Sequence, residues 1–276
     1  MKSRIDLHIH TTASDGLHTP AEIVEMARRK GLRVLSITDH DTVKGVAPAI
    51  EVAGDHLEVV PGVEISAYAS GREIHILGYF FDYQDQLLIE ALARLCQSRL
   101  GRAERMIEKL RALGVAVSRD RVLEIAGEGA IGRPHIAQAL REANHVHTIQ
   151  EAFDRFLSQG RPSYVPRYNV TQVQAMRLLH NAGGVPVLAH PWNVTSVIPH
   201  LVAEGLVGLE TYYTGYNPMM IAYLRRLAQQ HDLICTGGSD FHGLALLAEN
   251  HLGQVYVPPG CVAALRAKSC AGREAD

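Results

Sequence analysis

Missing from this sequence is any sign of covalent stapling. Its four cysteines, Cys96, Cys235, Cys261 and Cys270, form no CxxC spacing. A chain of 276 residues has core enough to do without cross-links, so reduced thiols and a cytoplasmic location are expected. No apolar run reaches the ~18 residues that a membrane-spanning helix needs, and Met1 to Asp6 turn polar at once, which predicts neither membrane insertion nor secretion. An excess of positive charge is lacking too: 27 Lys and Arg stand against 29 Asp and Glu, a net charge of −2. No global field exists to hold long duplex nucleic acid, which leaves a small or short anion open as substrate. No GxGxxG follows the first strand-like run, which argues against a dinucleotide-binding fold, and no internal repeat or low-complexity tract occurs.

What is present is an ordinary globular balance, 47% hydrophobic and 20% charged. Short β-rich runs (5–10, 34–39, 57–65) alternate with helical-period runs (20–30, 46–53), the βαβα signature of a parallel sheet. Thr19-Pro20-Ala21-Glu22 supplies a cap, a proline at the first helical position and a glutamate at the third, and Gly31 ends that helix. A strand over 73–81 precedes a long helical stretch, about 85–113, and helical patterns continue to about Ser158. The alternation then resumes: helix 171–182, strands 185–190 and 206–212, helix 218–231, strand 233–237. Six or seven strand–helix units favour a closed or nearly closed α/β barrel. Residues 100–165 read as a helical insertion, with 1–99 and 166–276 forming the barrel.

The unusual count is histidine, at 15 residues. His8 and His10 lie two apart at the end of the first strand-like run, so both imidazoles face the same side. Asp15 follows in the next loop, Thr38-Asp39-His40-Asp41 ends the second strand, and Glu64 lies near the end of the third. His75 sits among apolar neighbours in Glu73-Ile74-His75-Ile76-Leu77, which taken alone favour a core histidine satisfied by a backbone partner. His190 closes the run Val185 to Ala189, and Gly238-Ser239-Asp240-Phe241-His242 follows the last strand. Barrel enzymes assemble their sites at such strand ends. These residues exceed what one ion uses, since nitrogen and oxygen sites usually take four to six ligands, so two or three ions are implied. A carboxylate such as Glu64 is the natural bridge, and the absence of cysteine favours manganese, zinc or iron over a thiolate site. Clustered divalent ions suit hydrolysis of a phosphoester without an organic cofactor. Ile131-Gly132-Arg133-Pro134-His135-Ile136 offers Arg133 as the guanidinium clamp on phosphate.

The runs Asp6 to Thr11, Ser14-Asp15-Gly16, Thr38 to Asp41 and Gly238 to His242 resemble the signature runs of the polymerase and histidinol phosphatase (PHP) family, over nearly the full chain. The resemblance implies a distorted (β/α)7, TIM-like barrel with two or three divalent ions, manganese first among them. It makes His8, His10, Asp15, His40, Glu64, His75, His190, Asp240 and His242 the ligands. Asp15, His40 and His242 would hold a further ion or supply an acid to the leaving group. Gly-Arg-Pro-His within a helical insertion resembles the branch of nucleoside 3′,5′-bisphosphate phosphatases and 5′-to-3′ oligoribonucleases. The insertion would then cap the mouth, with Arg133 and His135 facing the substrate and Tyr164, Arg167 and Asn193 as further substrate-binding candidates. The expected reaction is removal of the 3′-phosphate from a nucleoside 3′,5′-bisphosphate, together with trimming of short RNA. No obligate protein partner is expected. Histidinol phosphate or another small phosphomonoester, an amide substrate, and a non-catalytic metal-stabilised module stand as the alternatives.

Overall fold

The computed structural model describes residues 4–69, 71–127, 129–166, 170–243 and 251–269. In chain order its elements are β1 (Ile5–Asp6), α1 (Pro20–Lys30), β2 (Val34–Ile37), α2 (Val46–Ala53), β3 (Glu58–Ala69), β4 (Arg72–Tyr79), α3 (Gln86–Ala112), α4 (Arg119–Ala126), α5 (Arg133–Glu142), α6 (Ile149–Ala152), β5 (Val170–Thr171), α7 (Gln172–Asn181), β6 (Val185–Leu188), α8 (Ile198–Ala203), β7 (Gly208–Tyr213), α9 (Pro218–Gln230), β8 (Ile234–Gly238) and α10 (Gly260–Lys268). The strands form one sheet in the order β1-β2-β3-β4-β6-β7-β8, with β5 set beside β3. Its two ends meet. The Leu7 N–H donates to the Gly237 carbonyl at 3.3 Å, the Asp240 N–H donates to the His8 carbonyl at 2.8 Å, and Ile9 bridges Phe241 in parallel. The result is a nearly closed α/β barrel.

Local sequence explains the elements that match expectation. α1 begins on the Thr19 hydroxyl, which accepts the Glu22 N–H in a reciprocal capping box, and it ends on Gly31 in the left-handed conformation (φ 77°). Its buried face, Ile23, Val24 and Ala27, joins Leu35 and Ile37 in one apolar cluster. Each fully buried Leu or Ile contributes roughly 1.5–3 kcal/mol by leaving water. The first strand is shorter than its apolar pattern suggests, because the Ile9 N–H is taken by the Thr38 hydroxyl at 3.0 Å instead of by a neighbouring strand.

One expectation is corrected. The sheet is not wholly parallel: β3 and β4 run antiparallel, with Ser66 opposite His75, and β4 runs antiparallel to β6 as well. A parallel crossover needs a dozen or more residues. Only residues 70 and 71 separate β3 from β4, and Gly71 takes a positive φ of 79° that suits a tight hairpin.

The long helix α3 serves two cores. Its first half places Leu88, Leu92 and Leu95 against the barrel. Its second half places Met106, Ile107 and Leu110 with Val122 of α4, Ile136 and Leu140 of α5, and Ile149 of α6. Residues 99 and 100 therefore lie inside one continuous helix. The helical segment packs over the end of the barrel where the strands deliver their polar residues: the Ala130 N–H donates to the Ala13 carbonyl at 3.0 Å.

Candidate metal centre

The chain leaves β1 through His8 and His10, both fully buried. Their neighbours across the closing seam are held close by a glycine: a β-carbon on Gly238 would collide with the backbone nitrogen and β-carbon of His8. His40 follows β2 and bridges Glu64 of β3 in parallel, and His75 stands on β4. His190 follows β6 with φ 28°, and Asp240 follows β8 with φ 54°; strained backbone of this kind tends to gather at functional sites.

All nine side chains expected from the sequence converge. Glu64 is at the middle, 1% exposed. Its Oε1 lies 3.5 Å from His8 Nε2, 2.8 Å from His75 Nδ1 and 3.2 Å from His190 Nε2. Its Oε2 lies 3.3 Å from His10 Nε2 and 2.8 Å from His40 Nδ1. Asp240 Oδ1 approaches His8 Nε2 at 3.2 Å and His10 Nε2 at 3.1 Å. Asp15 Oδ1 lies 3.3 Å from His242 Nε2 and 3.7 Å from His10 Nδ1, and its Oδ2 lies 3.9 Å from His40 Nε2.

The donor set fits divalent ions. Ligand atoms about 2.0–2.2 Å from a shared cation stand roughly 3.0–3.6 Å from each other, the range of many of these separations. Three groups have their donor atoms within 4.8 Å of one another: His10, Asp15, His40 and His242; His8, His10 and Glu64; and His40, Glu64 and His75. Four buried atoms here, His8 Nε2, His10 Nε2, His40 Nδ1 and Asp15 Oδ1, make no well-formed hydrogen bond, although an opposing cluster atom stands 2.8–3.3 Å from each. Such atoms are costly unless something binds them.

Electrostatics agree with a cation-seeking site. Burial favours neutral carboxyls, yet the facing imidazoles overcome it: His75, His40 and His8 hold Glu64 well below the usual range, His40 and His242 do so for Asp15, and His8 and His242 for Asp240. Burial opposes a proton on His10, but Asp240 and Glu64 lift it to about 10, while burial wins at His40 and lowers it to about 3.

Sequence reading missed the layer behind these groups. Glu210 on β7, fully buried, lies 2.9 Å from His8 Nδ1 through Oε1 and accepts the His190 N–H at 2.7 Å through Oε2. Asp39 accepts from the Thr11 N–H, the Thr11 hydroxyl and the Ser14 hydroxyl, which shapes the loop carrying Asp15. Asp6 accepts from the Ser239 and Gly253 N–H groups. Asp41, with φ 54°, pairs with buried Arg99 of α3 at 2.5 Å. Tyr213 donates its hydroxyl to Asp240 Oδ2 at 2.8 Å. A carboxylate inside an apolar run such as Leu206 to Tyr212 was the one available signal.

The expected substrate residues divide. His135 on α5 is buried beside the cluster, where desolvation lowers its pKa; the Gly132 N–H donates to its Nδ1 at 3.0 Å, so in the neutral ring the proton sits on Nε2. Gly132 touches Asp15: a β-carbon there would come 3.1 Å from Asp15 Oδ2. Arg133, the next residue, is half-buried with its guanidinium 5.6 Å over the Phe153 ring and no carboxylate partner among the described residues. Tyr164 is stacked by Arg102 at 5.4 Å, and Asn193 is exposed with its carbonyl accepting from Arg72. Neither is hydrogen-bonded to the nine among the described residues. Arg167 lies outside the described residues. Of the other histidines, His145 and His180 direct their rings to the carbonyls of Ala116 and Gly205, away from the cluster.

The chain is similar to known proteins. The chain is 36% identical to a 5′-3′ exoribonuclease Rnm of Escherichia coli (86% of this chain, 84% of that protein). It is 33% identical to a phosphoribosyl 1,2-cyclic phosphate 1,2-diphosphodiesterase of Eggerthella lenta (86% and 94%). It is 30% identical to a 3′,5′-nucleoside bisphosphate phosphatase of Chromobacterium violaceum (87% of each). A solved structure from Bifidobacterium adolescentis, described as a metal-dependent phosphoesterase, superposes with a TM-score of 0.88 at 32% identity over 96% of each chain. The PHP domain matches residues 6–159. With its barrel, its histidine-rich mouth and these relatives, the chain belongs to the PHP domain family.

Proposed function

We propose that this chain is a metal-dependent phosphoesterase that removes the 3′-phosphate from nucleoside 3′,5′-bisphosphates and trims short RNA from its 5′ end. The single observation that carries the reading is Glu64, whose two oxygens face different sets of imidazoles, as a carboxylate shared between cations requires. The nine residues are the ligands of two or three divalent ions, manganese the native one. Bound there, such ions supply activated water near neutral pH and neutralise charge on the phosphoryl oxygens. The protein's own groups do the rest. Arg133, which has no carboxylate partner among the described residues, offers its guanidinium fork to phosphate, and His135 holds an N–H donor at Nε2 in an uncharged ring. Glu210 fixes the ring of His8 and the backbone of His190 together.

Residues 100–165 act as a cap over the mouth, on a barrel built from 1–99 and 166–276, in the cytoplasm. A phosphodiesterase acting on a cyclic phosphate is the second reading, favoured by the Eggerthella relative at 33% identity. The test is turnover by manganese-loaded protein, read as inorganic phosphate from adenosine 3′,5′-bisphosphate and histidinol phosphate, as ring-opened phosphomonoester from a ribosyl cyclic phosphate, and as 5′-mononucleotide from a 5′-phosphorylated short RNA. Chelator-sensitive release from the bisphosphate and the RNA is expected. Turnover of the cyclic phosphate alone would select the second reading, and silence on every substrate would sink both.

A further inference from the structure

Aromatic rings continue outward from the cluster beside His190. The Tyr213 ring lies 5.6 Å from that of His190, Tyr216 lies 5.1 Å from Tyr213, Trp192 lies 6.5 Å from Tyr216, and Tyr223 of α9 lies 5.8 Å from Trp192. The series is anchored at its inner end, where Tyr213 donates to Asp240, and in the middle, where the Tyr216 hydroxyl accepts the Trp192 N–H at 3.1 Å. At its outer end it opens to solvent. Trp192 is 40% exposed and Tyr223 is 38% exposed, although large aromatics ordinarily gain most by burial. Trp192 and Tyr223 stand at 83° to each other, so they present faces in two directions.

Charge accompanies the rings. Arg226 lies 5.8 Å over the Tyr223 ring, and Arg72 donates to the carbonyl of Asn193, the residue after Trp192. Among the described residues neither guanidinium has a carboxylate partner. Aromatic faces interleaved with unpaired arginines, in a line that starts at a phosphoesterase centre, are the parts of a single-strand site, because every base has a face to stack and every linkage carries a charge. A core-packing role accounts for Tyr216, which lies partly in the barrel cluster, and leaves the exposed indole and Tyr223 without a reason.

We propose that Tyr213, Tyr216, Trp192 and Tyr223, flanked by Arg72 and Arg226, form a stacking track that holds the bases of a single-stranded oligoribonucleotide whose first internucleotide linkage from the 5′ end lies at the metal ligands. The track reaches past one nucleotide, so it sets a preference for substrate length. This inference rests on the proposed phosphoesterase reading, and the test separates the two.

Trp192 is the only tryptophan in the chain, so its emission reports on the track directly. Protein with and without manganese is titrated with a 5′-phosphorylated pentaribonucleotide, the corresponding mononucleotide and an abasic pentamer. Saturable quenching by the pentaribonucleotide is expected, at a half-point at least tenfold below that of either control. In steady-state assays Trp192→Ala and Tyr223→Ala should each raise KM for the pentamer about tenfold while kcat changes little, and Trp192→Phe should restore KM. Equal quenching by the abasic pentamer, no quenching by RNA, or an unchanged pentamer KM in both alanine variants would overturn the track. Quenching without hydrolysis of any phosphoester would uphold the track and remove the phosphoesterase reading; hydrolysis of the bisphosphate without quenching by the pentamer would do the reverse.

Discussion

His8 Nδ1 lies 2.9 Å from one oxygen of Glu210, and the other oxygen of that carboxylate accepts the backbone N–H of His190 at 2.7 Å. One buried acid thus orients two candidate ligands that are far apart in sequence. Partners of this sort typically matter ten- to a hundredfold to metal affinity. Glu210→Gln, which keeps an acceptor and removes the charge, should weaken manganese binding by about tenfold or more while the far-ultraviolet circular dichroism is retained. Binding of wild-type strength, measured by calorimetry, would show that Glu210 has no hold on the site.

The buried atoms of His8, His10, His40 and Asp15 that make no well-formed hydrogen bond predict a protein that gains stability from metal. A ligand present at 100 to 1,000 times its Kd stabilises the native state by about 3–4 kcal/mol. Thermal unfolding should therefore move to higher temperature with manganese and back with excess chelator. Asp240→Asn should lose most of that shift. An identical melting temperature in metal and in chelator would contradict the assignment.

Arg99 and Asp41 tie α3 to the strand-end loop beside His40, both nearly fully buried. Asp41 also accepts the Ser66 N–H at 2.8 Å, and Arg99 donates to the Ser66 hydroxyl at 3.0 Å. Removing one member of a buried pair strands the other, at a cost of about 3–5 kcal/mol. Arg99→Leu should lower the urea midpoint accordingly, and adding Asp41→Asn should recover part of the loss. Additive effects in the double variant would mean that the two do not act as a pair.

Burial lifts the Cys96 thiol to about 11, with Asp41 adding to the effect, against an ordinary 9.0. The thiolate that would react is scarce near neutral pH, so Cys96 should resist alkylation in the native protein and label on unfolding, as read by mass spectrometry. The linkage has a definite sign. A thiol whose folded pKa is raised contributes stability that is complete below about 9 and lost as pH rises through about 11. Cys96→Ser should flatten that alkaline decline; an unchanged slope would assign it to other groups.

Much of this was legible in the residues. The helix from Pro20 to Lys30 announces itself through Thr19, Glu22 and Gly31, and the nine polar residues stand where apolar runs stop, which is where a barrel opens its mouth. The direction of β4 was not legible. Its alternation is the same in either sense, and only the two-residue connection at Gly71 decides. Glu210, Asp6 and Asp39 escaped for another reason. A single acid within or beside an apolar strand has no period to mark it, and its worth depends on partners such as Ser239, 233 residues from Asp6. Tyr164 and Asn193 come from segments near the site; Arg102 lies over the Tyr164 ring, while Lys109 and Arg72 bond the backbone carbonyls of Tyr164 and Asn193 and leave their side chains to other partners.

The helix α3 spends its first turns in the barrel core and its last in the helical cluster over the mouth. A rod clamped at both ends transmits force; it does not swing. The two apolar clusters should therefore melt in one transition. Neither half of the rod is a natural place to cut the gene.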